Sequence, residues 1–221
     1  MARSKRALIS SYKKNDQLVL FVRGLVELGF RIVSSGGTSE FLQKAGIEVT
    51  DVSAYTGMKP ILSHKVVTLH PAIQSGLLAD GSQRGELDEL RYPWFDLVYV
   101  DFYPLEEVIN RDPSPTMEEV IAKTDIGGPN MIRAGAKGQR IVLVDPNDFD
   151  GVLTWLGRDM PREYAAKSFL IAKALKKISE YTAAAVAYQL KFIGNDAAMI
   201  NFSFGDFMAR KGEGWSDCNT R

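Results

Sequence analysis

The chain has a single cysteine, Cys218, in a polar terminal stretch, and only two histidines, His64 and His70. A disulfide framework and a cysteine-rich metal site are therefore excluded, and a histidine-based zinc site lacks ligands. Neither charge sign is in excess: 27 basic residues balance 27 acidic ones, which argues against a nucleic-acid-binding face. Long apolar runs are missing too. The basic opening Met1 to Arg6 is followed by only Ala7-Leu8-Ile9 before Ser10 and Ser11, which is neither a signal peptide nor a membrane span. These absences set the expectation of a cytoplasmic protein in a reducing compartment, without metal, nucleic acid or membrane.

What is present is an alternation of strand and helix patterns. Arg6 to Ser11 reads as a buried strand, and Asp16 to Leu28 follows with a helical apolar period that Gly29 ends. Strand Phe30 to Ser34, helix Ser39 to Ala45 and strand Glu48 to Val52 continue the pattern, and Asp96 to Phe102 and Arg140 to Val144 are further strands. Near-continuous apolar strands separated by helices predict a three-layer α/β fold with a mostly parallel sheet and right-handed crossovers. Short helices are expected over Leu105 to Arg111, Thr116 to Ala122 and Pro129 to Ala136, the last entered through Gly127-Gly128-Pro129. From Pro161 to about Phe192 an alanine-rich helical pattern, with a break expected near residues 178 to 180, predicts a C-terminal helical extension. The expected organisation is a core over residues 1–160 and an extension with tail over 161–221.

In open α/β sheets ligands collect beyond the carboxyl ends of the strands. The residues that follow the predicted strands are Tyr12, Lys13 and Lys14, then Ser34 to Thr38, then Asp101, Phe102 and Tyr103, and Asp145. The Ser34-Ser-Gly-Gly-Thr38 turn lets backbone approach a ligand, so that amides and the hydroxyls of Ser34, Ser35 and Thr38 would face a phosphate at a helix N-terminus. Lys65 and Thr68 could add a cation and a hydroxyl, while His70 before Pro71 reads as a turn histidine. Asp125 and Lys137 are the best acid/base pair by residue type. On one straight helix, however, twelve residues would separate them by roughly 18 Å, and an ordinary capping aspartate with a surface lysine remains the alternative.

Seven blocks together carry a resemblance: Ala7-Leu-Ile-Ser10, Ser35-Gly-Gly-Thr38, Asp51-Val-Ser-Ala-Tyr-Thr-Gly57, Val66-Val-Thr-Leu-His-Pro71, Tyr103-Pro104, Asp125-Ile-Gly-Gly-Pro129 and Ala134-Gly-Ala-Lys137. In these the chain resembles the IMP cyclohydrolase domain, the N-terminal half of the bifunctional AICAR transformylase/IMP cyclohydrolase, with its methylglyoxal-synthase-like fold. The resemblance implies dehydrative ring closure of 5-formamidoimidazole-4-carboxamide ribonucleotide to inosine monophosphate, the last step of purine synthesis, without metal or redox cofactor. It implies that Ser35, Gly36, Gly37 and Thr38 hold the 5′-phosphate, with Lys14, Lys65 and Thr68 nearby. Lys137 would be the principal proton-transfer residue, paired with Asp125, and Tyr103, Asp101 and Ile126 would position the base. A homodimer is expected, and because the formyltransferase half would need several hundred more residues, so is a separate formyltransferase protein.

The chain departs from that family's pattern at three places. Lys65-Val66-Val67 stands where the family has Arg-Val-Lys, so Val67 replaces a lysine held to act on the formyl oxygen. Asp101-Phe102-Tyr103-Pro104 replaces Asn-Leu-Tyr-Pro, and Gly138 replaces the asparagine after the lysine. The alternatives that follow are a non-catalytic purine-nucleotide-binding or regulatory module of the same fold, and methylglyoxal synthase, for which the sequence offers no good aspartate and histidine.

Overall fold

The computed structural model describes residues 4–62, 66–192, 200, 201, 203, 204 and 206. Lys65, His64, Cys218 and nearly all of the tail after Gly194 lie outside the described residues. Five strands, β1 (Lys5–Ser11), β2 (Phe30–Ser34), β3 (Val49–Asp51), β4 (Leu97–Asp101) and β5 (Ile141–Leu143), form one sheet in the order β3-β2-β1-β4-β5. Every pairing is parallel: Ala7 stands opposite Ile32 on one side and Leu97 on the other. The helices are α1 (Asp16–Glu27), α2 (Gly36–Lys44), α3 (Ser53–Thr56), α4 (Pro71–Leu78), α5 (Arg84–Glu89), α6 (Leu105–Ile109), α7 (Met117–Lys123), α8 (Gly127–Lys137), α9 (Phe149–Leu156) and α10 (Glu163–Leu190).

The sheet is covered on both faces, as a parallel sheet of apolar strands requires. Alternate residues Ala7, Ile9, Ile32, Leu97, Tyr99, Ile141 and Leu143 join α1 and α9 in one core. Its centre is aromatic: Phe21 and Phe149 stack at 3.9 Å, and Tyr99 meets Phe149 edge-on at 4.9 Å. On the opposite face α8 packs against β4, β5 and α4. Lys173 of α10 bonds Asp145 at 2.6 Å and Asp148 at 2.9 Å in the loop after β5.

The chain divides into two compact units, residues 1–103 with 125–178 and residues 104–124 with 179–221. The first holds the whole sheet. In the second, α7 opens with a reciprocal cap between Thr116 and Glu119, and Glu119 also pairs with Arg111 at 2.5 Å.

Two sequence expectations differ from the structure. The break near residues 178 to 180 is absent, and α10 runs unbroken over 28 residues. No glycine or proline interrupts Glu163–Leu190, so Ser179 alone does not end the helix. The second concerns α2 and α8, which start at Gly36 and Gly127, three and two residues before the expected Ser39 and Pro129. Both first turns are built from glycines that propensity alone would have left in a loop.

Candidate active site

The carboxyl ends of β2, β1 and β4 stand side by side, so the residues that follow them converge on one edge. At β2, Ser35 takes an extended N-cap conformation whose side chain makes no capping bond, and Gly36 follows with φ +53°, a left-handed conformation that suits glycine. The first N–H groups of α2 thus lack intrahelical partners at the positive end of its dipole. Lys14, from the loop after β1, lies over this turn. Its Cε is 3.3 Å from where a Cβ on Gly37 would stand, and its Nζ donates to the carbonyls of Ser11 at 3.1 Å and Tyr12 at 3.3 Å. Gly37 therefore leaves room for the lysine, and cation and helix terminus face the same space.

Two hydroxyls expected to face a phosphate are engaged elsewhere. The Thr38 hydroxyl accepts from the Ser11 N–H at 3.1 Å and donates to the Ser11 carbonyl at 3.0 Å, buried between α2 and β1. Ser34 donates to the Ile9 carbonyl at 2.7 Å inside the sheet. Both fix the shape of the turn, and Ser35 is the hydroxyl at its mouth.

At β4, Asp101 organises the loop after β1. Its carbonyl accepts from the Tyr12 N–H at 2.8 Å, and its carboxylate accepts from the Lys13 N–H at 2.8 Å and from the Ser11 hydroxyl at 3.4 Å. Tyr103 follows, with its ring centroid 4.4 Å from that of Tyr12 and the two planes inclined by 59°.

Asp125 sits just before α8, and its carboxylate accepts from the Gly128 N–H at 3.2 Å. Burial raises its pKa above the ordinary carboxylate value, although the N–H groups of Gly128, Gly127 and Ile126 pull the other way. The paired glycines have a steric reason. A Cβ on Gly128 would overlap Asp125 Oδ2 and stand 3.1 Å from Val100, and one on Gly127 would stand 3.0 Å from the Thr68 hydroxyl. Thr68 and Asp125 thus meet over the end of β4, where the side chain of Ile126 is exposed. His70 caps α4 through Nδ1, which accepts from the Ala72 N–H at 3.1 Å, and so acts as the turn histidine that its position before Pro71 indicates. Among the described residues no group of histidine, cysteine or acidic side chains could hold a metal.

Lys137 is not brought to this edge within one chain. It is exposed at the far end of α8, whose 11 residues span roughly 16 Å. There it lines a cavity of about 890 Å³ with Asp80, Arg84, Trp94 and Arg140. The Arg140 guanidinium covers Trp94 at 3.6 Å, bonds the carbonyls of Leu77 and Ala79, and is pushed down to about 10 by burial. The expected pairing of Lys137 with Asp125 therefore does not occur inside a single chain, because α8 is straight and neither end folds back.

The MGS-like domain family matches residues 17–130, which include α2, Thr68, Asp101, Tyr103 and Asp125. The chain belongs to the MGS-like domain family. It is also homologous to the bifunctional purine biosynthesis protein PurH. The Listeria welshimeri protein is 40% identical over 195 residues, and the Bacillus subtilis protein is 37% identical over 195 residues. Each alignment takes in 86% of this chain and 38% of the relative, so the chain spans well under half the length of these proteins. Among solved structures, the crystal structure of ForH matches with a TM-score of 0.72 and 29% identity, covering 84% of this chain and 99% of that one. No described helix is long and apolar enough to cross a membrane. As a member of this family, the chain carries the five-stranded parallel sheet that the strand pattern predicts.

Proposed function

We propose that this chain is an IMP cyclohydrolase that closes 5-formamidoimidazole-4-carboxamide ribonucleotide to inosine monophosphate. The observation that carries the reading is Asp125: a carboxyl raised by burial, held by glycine amides over the same edge as a lysine-covered helix terminus. The N-terminus of α2, with Ser35, Gly36, Gly37 and Lys14, holds the 5′-phosphate. Thr68 completes the polar surface, and Tyr103, Asp101 and the backbone at Ile126 position the base. Neighbouring strands are about 4.8 Å apart, so β2 and β4 hold these two regions about 10 Å from each other, with β1 between them.

In the reaction the carboxamide nitrogen attacks the formyl carbon, forming the ring C–N bond, while one proton leaves nitrogen and one reaches the formyl oxygen. The resulting hydroxyl then departs as water with the second nitrogen proton, leaving a C=N bond. Neither oxidant nor metal enters this balance. A carboxyl whose pKa lies above its ordinary value is suited to both transfers, since it can give a proton to oxygen and take one from nitrogen. The positive end of α8 favours the oxyanion during attack. Lys137 takes part only across a homodimer, presented by a second copy, because its own helix carries it away from Asp125.

A second reading, a non-catalytic nucleotide-binding module, is favoured by Val67, which brings no charge beside Thr68. Turnover separates the two. Purified protein given the formylated carboxamide ribonucleotide should build up the ultraviolet absorbance of inosine monophosphate. Inosine monophosphate binding with no turnover at high protein concentration would reject the enzyme reading in favour of the module.

A further inference from the structure

Tyr12 is the residue at this edge to which neither the resemblance nor the reaction gives a role. Its backbone is fixed at the boundary of β1 and β4. Its N–H donates to the Asp101 carbonyl at 2.8 Å, its carbonyl receives Lys14 Nζ at 3.3 Å, and the next N–H is held by the Asp101 carboxylate at 2.8 Å. A side chain on so restrained a backbone costs little further entropy to use in binding. Tyr12 is nonetheless 43% exposed, at a strand end where the apolar residues before it are fully buried.

The relation to Tyr103 gives the exposed ring a use. At 4.4 Å and 59° the two rings meet along an edge and open as a wedge, where parallel stacking would have closed their faces on each other. The pair follows β1 and β4, and the Tyr12 carbonyl holds the Lys14 cation that lies over α2. A nucleotide with its phosphate at α2 carries its base toward that pair. We propose that Tyr12 is a specificity-determining residue, whose exposed ring, braced by Tyr103, stacks on the flat heterocycle of a ribonucleotide 5′-phosphate. The inference rests on the nucleotide reading of the site, though not on its catalysis. With valine at 67, much of the selectivity for a planar base then comes from ring faces, which recognise any aromatic heterocycle and reject a bare sugar phosphate.

Calorimetric titration of the full chain with inosine monophosphate and, separately, ribose 5-phosphate tests this. Tyr12→Ser should weaken inosine monophosphate at least about tenfold, the scale of one lost base–aromatic stack, and leave ribose 5-phosphate within twofold. Tyr12→Phe should bind both as the unaltered protein does. Equal weakening of both ligands by Tyr12→Ser, an unchanged inosine monophosphate affinity, or no binding by the unaltered protein would overturn the proposal. Discrimination lost in Tyr12→Ser by a protein that never closes the ring would leave the proposal standing while the cyclohydrolase reading fell.

Discussion

Asp125 lies two residues before α8 and Lys137 is the last residue of that 11-residue helix, so the two stand at its opposite ends. Since α8 returns from the ligand edge to the start of β5, the ammonium lies at the other end of the sheet from the carboxyl. Cooperation between them requires two chains. If the proposed homodimer brings Lys137 of one copy to Asp125 of another, mixing Asp125→Asn with Lys137→Ala should restore turnover. In a two-fold dimer only the mixed species has one intact site, so the recovery should be about a quarter of the unaltered activity. Two inactive parents and an inactive mixture would remove Lys137 from the shared site.

The half-buried carboxyl has a consequence for stability. The folded-state pKa of Asp125 is raised, chiefly by burial, above the ordinary 3.8. Below that ordinary value both folded and unfolded chains hold the proton, and the residue adds no pH dependence. As pH climbs from there through the raised folded pKa, the unfolded chain releases its proton first and stability falls. Asp125→Asn removes that loss and still offers Gly128 an acceptor. Thermal melts should therefore show the variant gaining on the unaltered protein between acidic and neutral pH, and differing little from it below about pH 3.8. A gain largest at the acid end would contradict the sign.

The Thr38 hydroxyl is assigned to structure. It exchanges two hydrogen bonds with the Ser11 backbone while buried, and Thr38→Val would strand the Ser11 N–H and leave the Ser11 carbonyl with Lys14 alone. A loss of about 1–3 kcal/mol in denaturant unfolding is expected, with Thr38→Ser close to the unaltered protein. A fully stable Thr38→Val with weakened phosphate binding would return the hydroxyl to the ligand.

The strands were legible because parallel strands buried on both faces read as apolar runs, and Phe30–Ser34 has the bounds its sequence indicates. The short helices α3, α5 and α9 were not, since elements of four to eight residues carry too few turns for a helical period. The turn before α2 was legible in outline from Ser-Gly-Gly-Thr. Which hydroxyls it presents was not, because Ser34 and Thr38 find backbone partners on β1 that are 25 and 27 residues away in sequence. The spacing of Asp125 and Lys137 had already raised the question of how they could meet, and only the straight course of α8 excluded a loop folded back. Tyr12 looked unremarkable beside two lysines, since its partner Tyr103 comes from a different strand.

The most direct test of the central claim is to measure inosine monophosphate formation and inosine monophosphate affinity side by side in the unaltered protein and in Asp125→Asn. The account predicts ring closure by the unaltered protein, a rate lowered by at least about a hundredfold in the variant, and an affinity changed by less than about threefold, or under about 0.7 kcal/mol. An Asp125→Asn protein that closed the ring at the unaltered rate would contradict it.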